Sequence, residues 1–133
     1  MGGRGILAVV GVALLAAPVP ACADAALPAD WLDSTPAAEL TADLLIARKI
    51  EARCRNLRVT AEAEAMIDRR AAELSSYLTE RRLGPSDASR RVIAAFEAKH
   101  ATSYAGTNSL CRAGFVEMTD GSRIGHLLGR RQP

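Results

Sequence analysis

The amino-acid sequence predicts an all-α fold: a small four-helix bundle-like domain with one disulfide, preceded by a signal peptide. Three observations point there. Apolar residues recur with a helical period after residue 35, and no alternating strand pattern of useful length appears. Two cysteines, Cys54 and Cys111, remain once the N-terminal leader is set aside. Composition agrees, since 133 residues with 24% charged and 49% hydrophobic side chains make a globular mixture sized for one small domain. A formal net charge of +2 argues against a dedicated nucleic-acid binder, which concentrates a large basic excess.

Residues 1–23 read as the signal peptide. Arg4 precedes an apolar run from Ile6 to Ala17, Pro18 and Pro20 close the run, and Ala21-Cys22-Ala23 supplies small residues for cleavage after Ala23. The run of about 12 residues is short for a membrane span, which needs ~20. No later stretch is apolar enough to span either, so no stable membrane span is expected after cleavage. A second reading is a lipoprotein box, Val19-Pro20-Ala21-Cys22, with lipidation at Cys22 and a lipid-anchored protein. Both readings leave Cys54 and Cys111. An even pair in an exported chain reads as a disulfide, because the compartment is oxidising; two unpaired thiols are the alternative.

Residues 24–35 form an N-terminal leader segment that can pin itself to the domain through Trp31 and Leu32. The helical domain follows over 36–131. Thr35-Pro36 predicts a helix start, with threonine as cap and proline at the first helical position, and the helix runs from about 36 to 54. Leu40, Leu44, Ile46, Ala47, Ile50 and Cys54 share its broad apolar face. Asn56 to Thr60 makes a connection, and Thr60 caps a second helix that Gly84 and Pro85 stop. The stripe of that helix is Ala63, Met66, Ile67, Leu74, Tyr77 and Leu78. Ser86 caps a third helix with Val92, Ile93 and Phe96 facing inward, ended by the polar stretch from Thr102 to Thr107. The last segment carries Leu110, Cys111, Phe115 and Met118, with Gly114 on the same side, where a neighbouring backbone can approach closely. It turns at Asp120-Gly121, and Ser122 caps a short final helix to Arg130.

The run Cys111-Arg112-Ala113-Gly114-Phe115-Val116-Glu117-Met118, then Gly121-Ser122-Arg123-Ile124-Gly125-His126-Leu127-Leu128, carries a resemblance. It resembles the ending of a family of small exported alphaproteobacterial proteins that share a domain of unknown function. The matching positions are Cys111, Gly114, Glu117, Ser122, Ile124, Gly125, Leu127 and Leu128, and Cys54 follows a helix as the family's first cysteine does. Phe115 and Met118 depart from the family pattern. The resemblance implies export, a helical fold and a paired cysteine, and no activity.

Motifs of chemistry are scarce. The sequence has no G-x-S-x-G elbow, no C-x-x-C, no C-x-x-C-H, no glycine-rich phosphate loop and no EF-hand loop, so no catalytic residue, cofactor or metal site is expected. His100, one turn before Tyr104, is either a general base or a half-buried histidine at a helix C-terminus. His126 reads as a surface residue. Asp43 and Glu51 fall within or beside the first helix's apolar face, and Arg70 interrupts the second helix's stripe. Either one carboxylate meets Arg70 as a buried ion pair or all three sit at the rim. The arginine doublets, interleaved with acids, read as solvated helix faces, and Arg130-Arg131 alone is too little charge to hold a membrane.

The expected function is that of an exported, periplasmic, non-catalytic protein that binds a periplasmic protein partner or serves a structural role. The face with Gly114, Phe115, Met118 and Leu128 is the candidate contact surface, within the chain or beyond it. The alternative is an acid-stress holdase chaperone in which protonating Asp43 or Glu51 loosens the bundle. A small hydrolase using His100 is the third. No nucleic-acid partner is expected, and the sequence implies no oligomeric state.

Overall fold

The computed structural model describes residues 2–3, 26–101 and 109–132. The cleavage site, Cys22 and Tyr104 with its polar stretch lie outside the described residues. The chain order is α1 (Trp31–Ser34), α2 (Ala37–Arg53), β1 (Leu57–Val59), α3 (Ala61–Arg69), α4 (Ser75–Leu83), α5 (Asp87–Ala101), α6 (Ser109–Asp120), α7 (Arg123–Leu127) and β2 (Leu128–Arg130). The described chain is thus mostly helical, with seven helices and a two-stranded sheet rather than four helices alone. None of these helices is long and apolar enough to cross a membrane.

Helix α2 is the axis. Its predicted face of Leu40, Leu44, Ile46, Ala47 and Ile50 is buried, and so are Thr41, Ala42 and Asp43 on its flank. Helices α4, α5, α6 and α7 and strand β1 all pack on it, which accounts for burial around so much of its surface. Proline starts α2 differently from expectation. Pro36, with extended ψ, precedes the first helical residue, and no side chain caps the helix. Thr35 instead donates its hydroxyl to the Trp31 carbonyl at 2.6 Å, closing α1. That short helix seats Trp31 in the core and packs Leu32 against it, as the leader's composition suggested.

The segment from Asn56 to Thr60 is more than a connection. Leu57 and Val59 turn inward and Arg58 outward, and the strand pairs antiparallel with β2, Leu57 opposite Arg130 and Val59 opposite Leu128. Two further backbone bonds, Thr60 N–H to Leu127 O at 2.9 Å and Arg131 N–H to Asn56 O at 2.8 Å, extend the ladder. The final helix therefore stops at Leu127 instead of reaching Arg130, because residues 128–130 leave to pair with β1. Three-residue strands are too short to give a periodic signal.

The helix expected from Thr60 to Leu83 is two helices. Thr60 caps α3, accepting from Ala63 N–H at 3.1 Å. Arg70 and Leu74 then take φ near −100° with ψ of 21°, which bends the chain between α3 and α4. The bend lets α3 lie on α1 while α4 lies on α2, and it leaves Leu78 outside the core. Gly84 ends α4 at φ +109°, where a side chain would be strained. Ser86 caps α5 through Ser89 N–H at 3.2 Å. The inward face of α5 is Ser89, Phe96 and His100 with half-buried Ile93; Val92, expected inside, is exposed.

Two glycines set the α6–α7 corner. A Cβ on Gly114 would come within 2.7 Å of Leu57 and 2.9 Å of Ile50, so side chains, not a backbone, make the close approach there. A Cβ on Gly125 would lie 2.0 Å from the Glu117 carbonyl oxygen, so α7 rests directly on the α6 backbone. Ser122 caps α7 through Gly125 N–H at 3.0 Å, as predicted.

Candidate functional site

Cys54 and Cys111 form the disulfide, their Cα atoms 5.1 Å apart, and it ties the end of α2 to the first turn of α6. The three charged residues expected at a buried helix–helix pair do not meet. Arg70 is buried, but its guanidinium donates to the Leu32 and Thr35 carbonyls at 2.8 and 2.9 Å and pairs with Glu73 at 2.8 Å. It stitches the leader to the α3–α4 bend. Asp43 accepts instead from Arg123 Nε at 2.8 Å, joining α2 to α7, while Arg123 also meets Glu39 at 2.7 Å. Glu51 pairs with Arg48 at 3.1 Å and accepts the Val59 N–H at 2.6 Å. Burial is the larger influence on Asp43 and pushes its carboxyl above the ordinary range, with Arg123 only partly restoring it.

His100 lies deeper than a half-buried surface residue. Its Nε2–H donates to Glu117 Oε1 at 2.8 Å, and its ring packs on Phe96 at a 4.6 Å centroid distance. Glu117, with 2% of its side chain exposed, also receives the Lys99 ammonium at 2.7 Å. Burial alone would raise Glu117, but hydrogen bonds from Lys99, Ser122 and His100 outweigh it and hold the carboxyl below its ordinary value. A cavity of about 300 Å³ adjoins this cluster, lined by Phe96, His100, Leu110 and Ala113 among others. Chemically, the carboxylate is kept ionised, orients the imidazole and binds α5 to α6. Glu117 entered the sequence reading only through the family motif. An acid among Val116, Met118 and Phe115 is the signal that it points inward, and nothing local says toward which partner.

A second concavity, of about 420 Å³, opens beside the disulfide. Its walls are Arg53 and Arg55 from the end of α2 and the turn after it, Asn56, and Arg112 and Phe115 from α6. Among the described residues no acidic side chain lines it. The Arg130 guanidinium stands over the Phe115 ring, 5.2 Å from its centroid, so β2 adds another cation to the rim. Arg53, Arg55, Arg112 and Arg130 are all exposed. The sequence scatters these arginines over nearly 80 positions, and only the disulfide and the β1–β2 register bring them together.

The candidate contact face divides. Leu128 is core, and Phe115 and Met118 are half-buried against it, so much of that face is satisfied within the chain. His126 is exposed, its Nδ1 2.9 Å from the Ser122 carbonyl and its ring edge-on to Trp31 at 6.1 Å. Among the described residues no group of three or more His, Cys, Asp or Glu side chains could hold a metal ion. No family model, curated protein or solved structure matches the chain.

Proposed function

We propose that this is an exported, non-catalytic binding protein, its helical body a rigid scaffold and its working surface the disulfide end. The observation that supports this best is the acid-free concavity walled by Arg53, Arg55, Arg112 and Phe115, beside an interhelical disulfide. Phe115 belongs both to this concavity and to the contact face read from the sequence. The signal-peptide layout of residues 1–23, the even cysteine pair and the likeness of the C-terminal run to exported alphaproteobacterial proteins favour a periplasmic setting. A hydrolase is less favoured, because Glu117, the carboxylate that orients His100, is also held by Lys99 and serves as an interhelical tie.

Capture of partners by the tagged mature protein in its own periplasm, with intact-mass measurement of the same sample, tests this reading. The expected mass is that of the chain from Asp24 with the disulfide formed, together with a specific co-purifying component. A lipid-modified mass makes the protein an anchored one through Cys22. A His100→Ala variant that abolishes a discovered turnover overturns the non-catalytic assignment.

One observation favours the holdase as a second reading: buried Glu117 joins α5 to α6, so its protonation removes an interhelical tie. Asp43 does not suit the trigger role first read for it. Its raised pKa means the fold prefers it neutral, so acid relieves a cost there instead of breaking a tie. Dye binding and client protection followed from about pH 7 to about pH 3 decide this reading. A protein that stays closed and inert in acid rules it out.

A further inference from the structure

We infer that the concavity beside the Cys54–Cys111 disulfide binds a compact phosphate-bearing group; the inference rests on the binding-protein reading above and names its ligand chemistry. Arg53, Arg55 and Arg112 line the pocket; Arg112 already has an interaction of its own, so Arg53, Arg55 and Arg130 are the cations offered to a ligand. Arg130 stands above Phe115 at its edge, steadied on the ring. Elsewhere Arg48, Arg69, Arg70, Arg90 and Arg123 each meet a carboxylate. No ion pair to a carboxylate occupies Arg53, Arg55 or Arg130 among the described residues. The nearest acid in sequence, Glu51, is already committed to Arg48 and the Val59 amide. Arg58 and Arg131 are not part of the site, since they line a separate groove with Glu51, Glu64 and Asp68.

Geometry then selects the anion. The disulfide fixes the turn bearing Arg53 and Arg55 against the helix bearing Arg112, and the strand register holds Arg130 opposite Leu57. The backbone segments that carry the cations are therefore held together before any ligand arrives, so binding has only the exposed side chains to order. Guanidinium groups donate paired hydrogen bonds to carboxylate or phosphate oxygens. Several of them around one small depression suit a single centre of high charge more than carboxylates spread along a flexible peptide. A phosphate carries about −1.5 to −2 charge and three acceptor oxygens on one atom. Arg112 sits in the first turn of α6, where the helix dipole also favours an anion. Such a group can come from a free phosphate compound or from a lipid headgroup that is itself a phosphomonoester, as in phosphatidic acid.

The test uses the mature protein with its disulfide intact. Pyrophosphate is titrated by calorimetry, and co-sedimentation is measured with phosphatidic acid vesicles against phosphatidylcholine vesicles. Saturable pyrophosphate binding that weakens with salt is expected, falling about tenfold or more in an Arg53→Gln/Arg55→Gln variant. An Arg82→Gln variant, exposed on α4 away from the pocket, should bind like the parent. Binding to phosphatidic acid vesicles alone, lost in the same double variant, assigns the phosphate to a headgroup. Circular dichroism and intact mass confirm that both variants fold with the disulfide formed. Binding of a polyglutamate peptide but of neither phosphate probe overturns the inference, as does no binding at all or equal loss in both variants. If it falls while the periplasmic capture still recovers a specific component, the binding-protein reading stands without it.

Discussion

Burying an acid is expensive unless donors surround it, and Glu117 shows how this small domain manages the cost. At 2% exposure it receives Lys99 and His100 on the same oxygen, and it stays below the ordinary carboxylate range despite its desolvation. A carboxyl whose folded pKa is lowered stabilises the protein above its unfolded value of 4.5, and that contribution is lost as pH falls through the folded value. Asp43 has the opposite sign. Its raised folded pKa makes ionised Asp43 a cost at neutral pH, relieved as acid protonates it on the way down toward 3.8. Glu117→Gln should therefore cost about 2 kcal/mol at pH 7 by urea denaturation and flatten the loss of stability below about pH 5. Asp43→Asn should steepen that loss, because the compensating protonation is gone. Equal acid slopes in both variants and the parent would contradict this assignment. Such partners were only half legible beforehand. The charge of Asp43 on an apolar helix face marked it as needing a counterion, but Arg123, 80 residues away, is unpredictable without the tertiary fold. Arg70 shows the same limit, since two of its hydrogen bonds go to backbone carbonyls of the leader and no sequence pattern announces them.

At the scale of elements, most side-chain caps are legible from neighbouring residues, and Thr35 is the exception, its hydroxyl closing α1 instead of capping α2. Caps at Thr60, Ser86 and Ser122 work by a side chain and an amide three residues on, so their signals lie in adjacent positions. The α3–α4 bend, the β1–β2 pairing and the early end of α7 depend on distant partners, and periodicity passed over each. The Gly114–Gly125 pair sits between these cases. Glycine suggested close packing, but whether backbone or side chain approaches decides what a substitution does. Gly125→Ala sets a methyl against the Glu117 carbonyl carbon and oxygen at 2.4 and 2.0 Å, where neither helix can yield without losing Ser122's cap or the α6 backbone. Gly114→Ala meets the ends of Leu57 and Ile50 side chains, which can rotate. Gly125→Ala should thus cost about 3 kcal/mol or more and Gly114→Ala about 1 kcal/mol. Thermal denaturation of both variants checks the order, and a reversed order would mean that α7 is not seated on α6 as described.

At the scale of the whole molecule, one central helix packs against five of the other eight described elements, while the segments around it are short. Short helices are marginal on their own and hold their shape through packing, so local openings are contained only if the ends of the chain are tied. The Cys54–Cys111 link is placed for this, since its cysteines stand 57 positions apart in sequence with β1, α3, α4 and α5 between them. Closing a loop of that length removes unfolded-state freedom worth about 4 kcal/mol on the chain-entropy account. A domain of this size has only about 5–15 kcal/mol in total, so the link supplies a large share of it. Reduction, or a Cys54→Ala/Cys111→Ala double variant, should lower the melting temperature by roughly 20 °C or more. The β1–β2 ladder and the arginine pocket should loosen first, because both border the bond, and amide exchange at Leu57 and Val59 reports that directly. A reduced protein that melts with the oxidised one, its strand amides equally protected, would show that packing on α2 alone holds the end together and that the pocket owes nothing to the disulfide.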